Sequence, residues 1–351
     1  MPSSKYEGKS AAFQKLVFAL KILLGSVPLV VFYCYARFYA DGYMDGEWPM
    51  YKQVKNYINK TGLYNDFLIL GDSTPKFNLN AEALSSEEYS VQNIALGGTT
   101  PVEDYYILKE YLERGNTVGT VIIAFAPFHL WHMDCVSTRT EYFHALHFLD
   151  VLDMYKNAVS FKDNQNVHNT FFTENPHIGK LLKAAIFYPP KYLPAMNNAR
   201  FVRRYKGNVD AYHFYEQSKG SHFCGDGINP REAYVNQPSF SAQPMQTAYF
   251  RKVLELCREY GIRVIIEQSP LPQMCEEKIL DSFEQEYFAF FNSFKSDFDL
   301  TCPSKFTYFD NNFFVDAAHM NNAGNAAWTQ YIKETYIIPY INTHKPTEVL
   351  K

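Results

Sequence analysis

Three kinds of apolar pattern follow one another along the chain. From Leu16 to Ala36 the sequence LVFALKILLGSVPLVVFYCYA is apolar on every helical face, with Lys21 as its one charge. A run of that length predicts a helix able to cross a bilayer, and uniform apolarity argues against a core helix with one buried stripe. Lys21 lies near the start of the run, where its stem can carry the ammonium to the headgroups. Residues 41–65 then read as a polar lead-in. Beyond them come short apolar runs bounded by Gly or Pro: DFLIL (66–70), SVQNIA (90–95), VGTVIIAFA (118–126), IRVIIEQ (262–268) and FTYFD (306–310). Unbroken runs of this kind predict buried strands. Helical stretches fall between and after them, at 101–114 with Pro101 in the first turn, at 246–260, near 276–295 and at 321–337. Strands alternating with helices imply an α/β fold, a parallel sheet with helices on both faces in three α/β/α layers.

Between residues 128 and 245 the rhythm gives way to a long aromatic- and His-rich region with one predicted helix, Thr140 to Ala158. No linker flanks it, so it reads as a large, mostly helical insertion in the sheet domain. The expected organisation is a cytoplasmic tail (1–15), a transmembrane anchor (16–40), the lead-in (41–65) and one α/β domain (66–345) carrying the insertion. Lys5, Lys9 and Lys15 precede the apolar run, whereas Asp41, Asp45 and Glu47 follow soon after it. By the positive-inside bias the amino terminus is cytoplasmic and the domain extracytoplasmic. A cleaved signal peptide is the rival reading; against it, no clear small-residue cleavage site follows the run.

Composition narrows the function classes. Hydrophobic residues make up 47% and charged residues 20%, so the chain can bury a core. A formal net charge of −4 with no Lys/Arg run or zinc-finger spacing speaks against nucleic acid as a partner. The 27 Tyr and 29 Phe suit a core and also the flat apolar faces that carbohydrate or interfacial surfaces need. Six cysteines show no CxxC, and Cys34 lies in the apolar run; five remain, so at least one is a free thiol if the others pair.

The chemistry gathers at two distant places. In LILGDSTPKF, Ser73 comes just after the first strand, and open α/β sheets bind ligands beyond the carboxyl ends of their strands. A serine hydroxyl needs an adjacent base to act as a nucleophile. FFVDAAHMNNAG offers one: the spacing of Asp316 and His319 lets the carboxylate hold one imidazole nitrogen while the other turns to the serine. His129, His132, His144 and His147 stand in pairs three apart, but no third and fourth ligand at convincing spacing accompanies them, so no metal is expected. No phosphate-loop motif follows Gly97-Gly98, and no cofactor is implied.

These blocks resemble the SGNH/GDSL hydrolase superfamily. GDST (71–74) is similar to its first block, whose serine is the nucleophile. Asn93 and Gly98 in NIALGGTT resemble the second, whose glycine N–H serves an oxyanion hole together with the N–H of the serine. DAAH (316–319) resembles the D-x-x-H of the fifth. The resemblance implies an SGNH-like sheet of flavodoxin-like order over about 66–337, with Ser73, His319 and Asp316 as catalytic triad and Ser73 and Gly98 as oxyanion donors. One block departs. Where the family places an Asn donor after the third strand, this chain reads AFAPFHLW; His129 and a backbone N–H are the candidates to replace it, and a packed or solvent-facing histidine is the preferred reading of His129.

The layout is similar to membrane-anchored members that acylate cell-envelope polymers, such as those of alginate acetylation and teichoic-acid D-alanylation. The function this implies is serine O-acyl transfer, of acetyl in the first instance, to a cell-envelope or exported polysaccharide. A membrane-bound O-acyltransferase would be the donor partner. An esterase with the same triad and a non-catalytic glycan-binding relative are the alternatives.

Overall fold

The computed structural model describes residues 4–38, 46–131 and 201–344, with scattered positions from 143 to 157. The predicted Thr140–Ala158 helix therefore lies largely outside the described residues, as does most of the insertion. The chain forms two compact units, Met1–Trp48 with Pro189–Val209, and Pro49–Tyr188 with Asp210–Lys351.

The first unit contains one long helix, Ser4–Phe38. Its Ala11–Val31 stretch has a mean hydropathy of 1.7, and none of it is buried. Leu16 is 59% and Leu29 71% exposed. So much bare hydrocarbon is unfavourable in water and favourable in a bilayer. By length and composition this helix can cross a membrane, a property that signal sequences share.

The second unit is mixed α/β. Its strands are β1 (Tyr64–Gly71), β2 (Val91–Asn93), β3 (Thr117–Ala124), β4 (Arg263–Ile266), β5 (Leu271–Pro272), β6 (Leu300–Thr301) and β7 (Tyr308–Phe309). Five make one parallel sheet in the order β2-β1-β3-β4-β6. Ile69 pairs with Ile122, and Ile122 with Ile265. Side chains alternate between faces along a strand, yet Phe67, Leu68, Ile69 and Leu70 are all fully buried. Both faces of the sheet are therefore covered. Phe67, Ile69, Ile122 and Ile265 share a cluster with Trp328 and Ile332 of the Asn322–Ile332 helix. Elsewhere the helices Pro101–Glu113 and Pro244–Glu259 meet through a 2.7 Å hydrogen bond between the Tyr106 and Tyr249 hydroxyls.

The order of the sheet reverses at β1, so the carboxyl ends of β1 and β3 bound the crevice where open sheets take their ligands. Gly71 ends β1 with φ +125°, and a Cβ there would fall 1.8 Å from the Ala124 carbonyl oxygen. Only glycine allows β1 to turn away this close to β3.

The structure differs from the sequence pattern in three places. FTYFD does not extend the main sheet; its Tyr308 and Phe309 pair with Leu271 and Pro272 in a separate two-stranded ribbon. The outer strand is instead β6, two residues long and too short to show a pattern before Cys302-Pro303. Within 41–65 a helix, Trp48–Ile58, buries Met50, Tyr51, Val54 and Ile58. Its interleaved Lys52, Lys55 and Asn56 disguise that face as polar. Cys224, Cys257, Cys275 and Cys302 are free thiols, as is Cys34 of the long helix.

Candidate active site

Ser73 opens the short helix Ser73–Asn78 directly beyond the end of β1. Asp72 before it is fully buried and caps that helix. Its Oδ1 accepts from the Thr74 N–H (2.7 Å) and the Thr74 hydroxyl (2.6 Å), and its Oδ2 from the Ala126 N–H (2.6 Å). A cap bond satisfies an amide that a helix start would otherwise leave without a partner. Here it also ties the turn to the segment after β3. His129 Nε2 stands 3.3 Å from Asp72 Oδ2, with its ring buried.

The segment 315–319 is a closed loop. Phe314 and Met320 form an isolated antiparallel bridge, and the Val315 N–H donates to the His319 carbonyl (2.9 Å). Inside it, Asp316 Oδ1 accepts from the backbone N–H groups of Ala318 and His319, each at 2.8 Å. Asp316 Oδ2 lies 2.8 Å from His319 Nδ1, and His319 Nε2 lies 2.9 Å from Ser73 Oγ. Partial burial pulls the Asp316 carboxyl upward, but the His319 ring and the two backbone N–H groups outweigh it and bring the pKa to about 2. Asp316 is thus an ionised acceptor at any physiological pH.

Side-chain amides fix the two halves of the site to each other. Asn78, fully buried at the end of the Ser73 helix, donates to the Ala318 carbonyl and accepts from the Met320 N–H, both at 2.8 Å. Asn93 donates to the Pro75 carbonyl (2.9 Å), and Asn325 to the Phe77 carbonyl (2.8 Å). The Phe77 ring meets the His319 ring edge-on at 5.2 Å. Gly98 is buried with φ +75°, on a segment tied to the same end of the sheet. There the Gly71 carbonyl accepts from the Leu96 N–H (3.1 Å) and the Thr99 hydroxyl (2.7 Å).

Of the residues singled out in the sequence, Ser73, His319 and Asp316 therefore meet in one hydrogen-bonded row. Gly98 lies on the segment after β2 that Leu96 and Thr99 tie to the Gly71 carbonyl at the end of β1. The His129 ring nitrogen faces Asp72, so it braces the turn beneath Ser73. His147 lies 3.0 Å from Glu110, while His132 and His144 are outside the described residues.

The pattern did not single out Asp72, Asn78 or Lys76. Asp72 stands inside GDST, where its neighbour draws attention. Asn78 is one polar residue in KFNLN with no periodicity to mark it. Lys76 is fully buried, and its Nζ lacks a hydrogen-bond acceptor among the described residues. It lies 5.1 Å from the centre of the Tyr215 ring. Burial pulls its pKa down to about 7. His222, stacked on Tyr215 and edge-on to Phe77, falls to about 4, through burial first and the Lys76 charge second.

No family model matches the chain, and no curated protein matches it. A solved structure from Streptococcus pneumonia, provisionally described as a platelet activating factor, overlaps 89% of this chain and 98% of its own. The identity is 9% and the TM-score 0.35, a likeness that carries nothing about chemistry.

Two outcomes follow from these contacts. Asn78→Ala leaves the Ala318 carbonyl and the Met320 N–H unpaired, which should cost about 3 kcal/mol at roughly 1–3 per buried group; urea unfolding measures it. The second concerns Lys76, whose native pKa of about 7 lies below the ordinary 10.5. Between those values the unfolded chain keeps the proton that the native chain sheds, so this group makes stability rise with pH. Its cost is complete below about pH 7 and gone above about pH 10.5. Lys76→Met should therefore exceed wild type in urea midpoint at pH 7 and converge on it by pH 10. Parallel curves across that window would mean the amine is not held in an apolar site.

Proposed function

We propose that this chain is a membrane-anchored serine acyl-ester enzyme of the SGNH/GDSL type. Its action would be to transfer an acyl group, acetyl in the first instance, to a hydroxyl of an envelope or exported polysaccharide. The observation that carries the reading is the Asp316–His319–Ser73 row, with 2.8 Å and 2.9 Å between successive partners. A serine with a purely structural role has no need of an imidazole whose far nitrogen is held by an ionised carboxylate; a nucleophile does. The sheet order also suits an SGNH-like three-layer core, with the site at the crevice beside β1.

In this reading His319 Nε2 takes the Ser73 proton as Oγ bonds to the acyl carbonyl carbon. The Asp316 carboxylate stabilises the imidazolium that forms. The oxyanion is met in this reading by the backbone N–H groups of Ser73 and Gly98; the bonds from Leu96 and Thr99 to the Gly71 carbonyl, which tie the Gly98 segment to the end of β1, support that pairing. His319 returns the proton to the leaving group, and an acyl-serine remains. A sugar hydroxyl then gives its proton to His319 and attacks the same carbon, which releases the acylated sugar and restores the Ser73 hydroxyl. His129 is left out of the donor set, because its Nε2 is directed at Asp72. With one donor fewer than the hydrolase pattern, the oxyanion is less well held, and the loss of one such donor typically costs 10²–10³ in rate.

Water could take the place of the sugar, which is the esterase alternative. Transfer is preferred because the amino-terminal helix would hold the domain beside a membrane-bound acyl donor. Lys5, Lys9 and Lys15, towards the amino-terminal end of that helix, favour an extracytoplasmic domain, where envelope polymers are.

The test separates acyl transfer from hydrolysis. Full-length protein in detergent, given an activated acetyl ester, should acetylate an oligosaccharide faster than it releases acetate. Ser73→Ala and His319→Ala should each lower both rates by at least about 10³-fold, since both routes pass through the same intermediate. Rapid ester hydrolysis, unaffected by any sugar acceptor, would favour the esterase.

A further inference from the structure

An open cleft of about 530 Å³ lies between the chain just after the Ser73 helix and the Asn322–Ile332 helix that follows His319, lined in part by Asn80, Phe223, Asn322, Asn325, Gln330 and Lys333. From this cleft we infer that the acyl acceptor is a glycan chain bound across several hydroxyls, with its flanking sugars in the cleft and its reacting hydroxyl at Ser73. The inference rests on the transfer reading above and adds where, and by which residues, the acceptor is held.

Position gives the first argument. Asn80 lies just past the helix that Ser73 opens, roughly 10 Å along it at 1.5 Å per residue. Asn322 follows His319 by three residues. Asn325 donates to the Phe77 carbonyl, and the Phe77 ring touches His319. Both walls of the cleft are thus continuations of the elements that carry Ser73 and His319.

Chemistry gives the second. Asn80, Asn322, Gln330 and Lys333 are each oriented by bonds within the protein and, among the described residues, keep a group unused. Asn80 Oδ1 accepts from the Glu82 and Ala83 N–H groups, which leaves its NH₂. Asn322 donates to Asp226 and Gln330 to Glu334, which leaves their carbonyl oxygens. Lys333 Nζ spends one donor on the Ala83 carbonyl and has two more. Interleaved donors and acceptors beside an aromatic ring match sugar hydroxyls and the apolar face of a pyranose. A lipid chain would leave these amides unpaired, a cost of roughly 1–3 kcal/mol for each group that becomes buried. The volume lies within the roughly 300–1,000 Å³ of small-molecule sites.

The test uses full-length protein in detergent with short oligomers of N-acetylglucosamine and of galacturonate. It compares wild type, Gln330→Ala, Lys333→Ala and Ser73→Ala, each checked for an unaltered unfolding midpoint. Gln330→Ala and Lys333→Ala should raise the acceptor KM about tenfold, with a smaller change in kcat, and weaken oligomer binding measured by calorimetry to a similar degree. Ser73→Ala should abolish transfer yet bind the oligomers like wild type. Failure of Ser73→Ala to abolish transfer would overturn the serine mechanism alone. Oligomer binding that is absent in wild type, or unchanged from wild type in both cleft variants, would overturn the cleft as acceptor site whatever the fate of the mechanism.

Discussion

Everything proposed for this molecule depends on holding two short segments together that lie 240 residues apart in the chain. The Asn78 amide does this by pairing with one carbonyl and one N–H of the segment that carries His319. Two bonds from one planar group fix distance and orientation at once, which a single bond or an apolar contact does not. Asn93 and Asn325 hold the same six-residue helix from two other directions. A helix so short has little stability of its own, so its placement comes from these amides and from the cap at Asp72.

Two aspartates flank the serine by different means. Asp72 spends its oxygens on the Thr74 and Ala126 backbone and the Thr74 hydroxyl, so it sets the shape of the turn. Asp316 gives one oxygen to its own loop and the other to the His319 ring. The first therefore acts on the geometry of the turn, and the second on the orientation and tautomer of the imidazole. Lys76, three residues after Ser73 in the same helix, is buried in an apolar, aromatic setting. A positive charge there works against folding, and nothing in the proposed chemistry uses it.

Much of the scaffold was legible in the sequence because its signals are local. Unbroken apolar runs mark β1, β3 and β4, whose buried faces leave no polar position to alternate. GDST and DAAH stood out because their chemistry is unusual at strand ends. Other features depend on partners far away in the chain. The two-residue β6 exists only because Val264 and Ile265 are there to pair with it. Asn78 looks like any polar loop residue until the Ala318 carbonyl appears opposite. The Trp48–Ile58 helix hides its apolar face among lysines. His129, read in the sequence as a packed or solvent-facing histidine ahead of an oxyanion donor, is buried with its ring turned to Asp72.

The central claim is that Ser73 carries the acyl group between donor and acceptor. Its most direct test is mass spectrometry of the protein after brief reaction with an activated acetyl ester and an acid quench. The account predicts a mass gain of one acetyl group, located by fragmentation on the peptide containing Ser73. Added oligosaccharide should deplete that adduct faster than water does. Absence of any adduct at Ser73 while acetyl transfer proceeds, or an adduct on another residue that forms equally in Ser73→Ala, would contradict it.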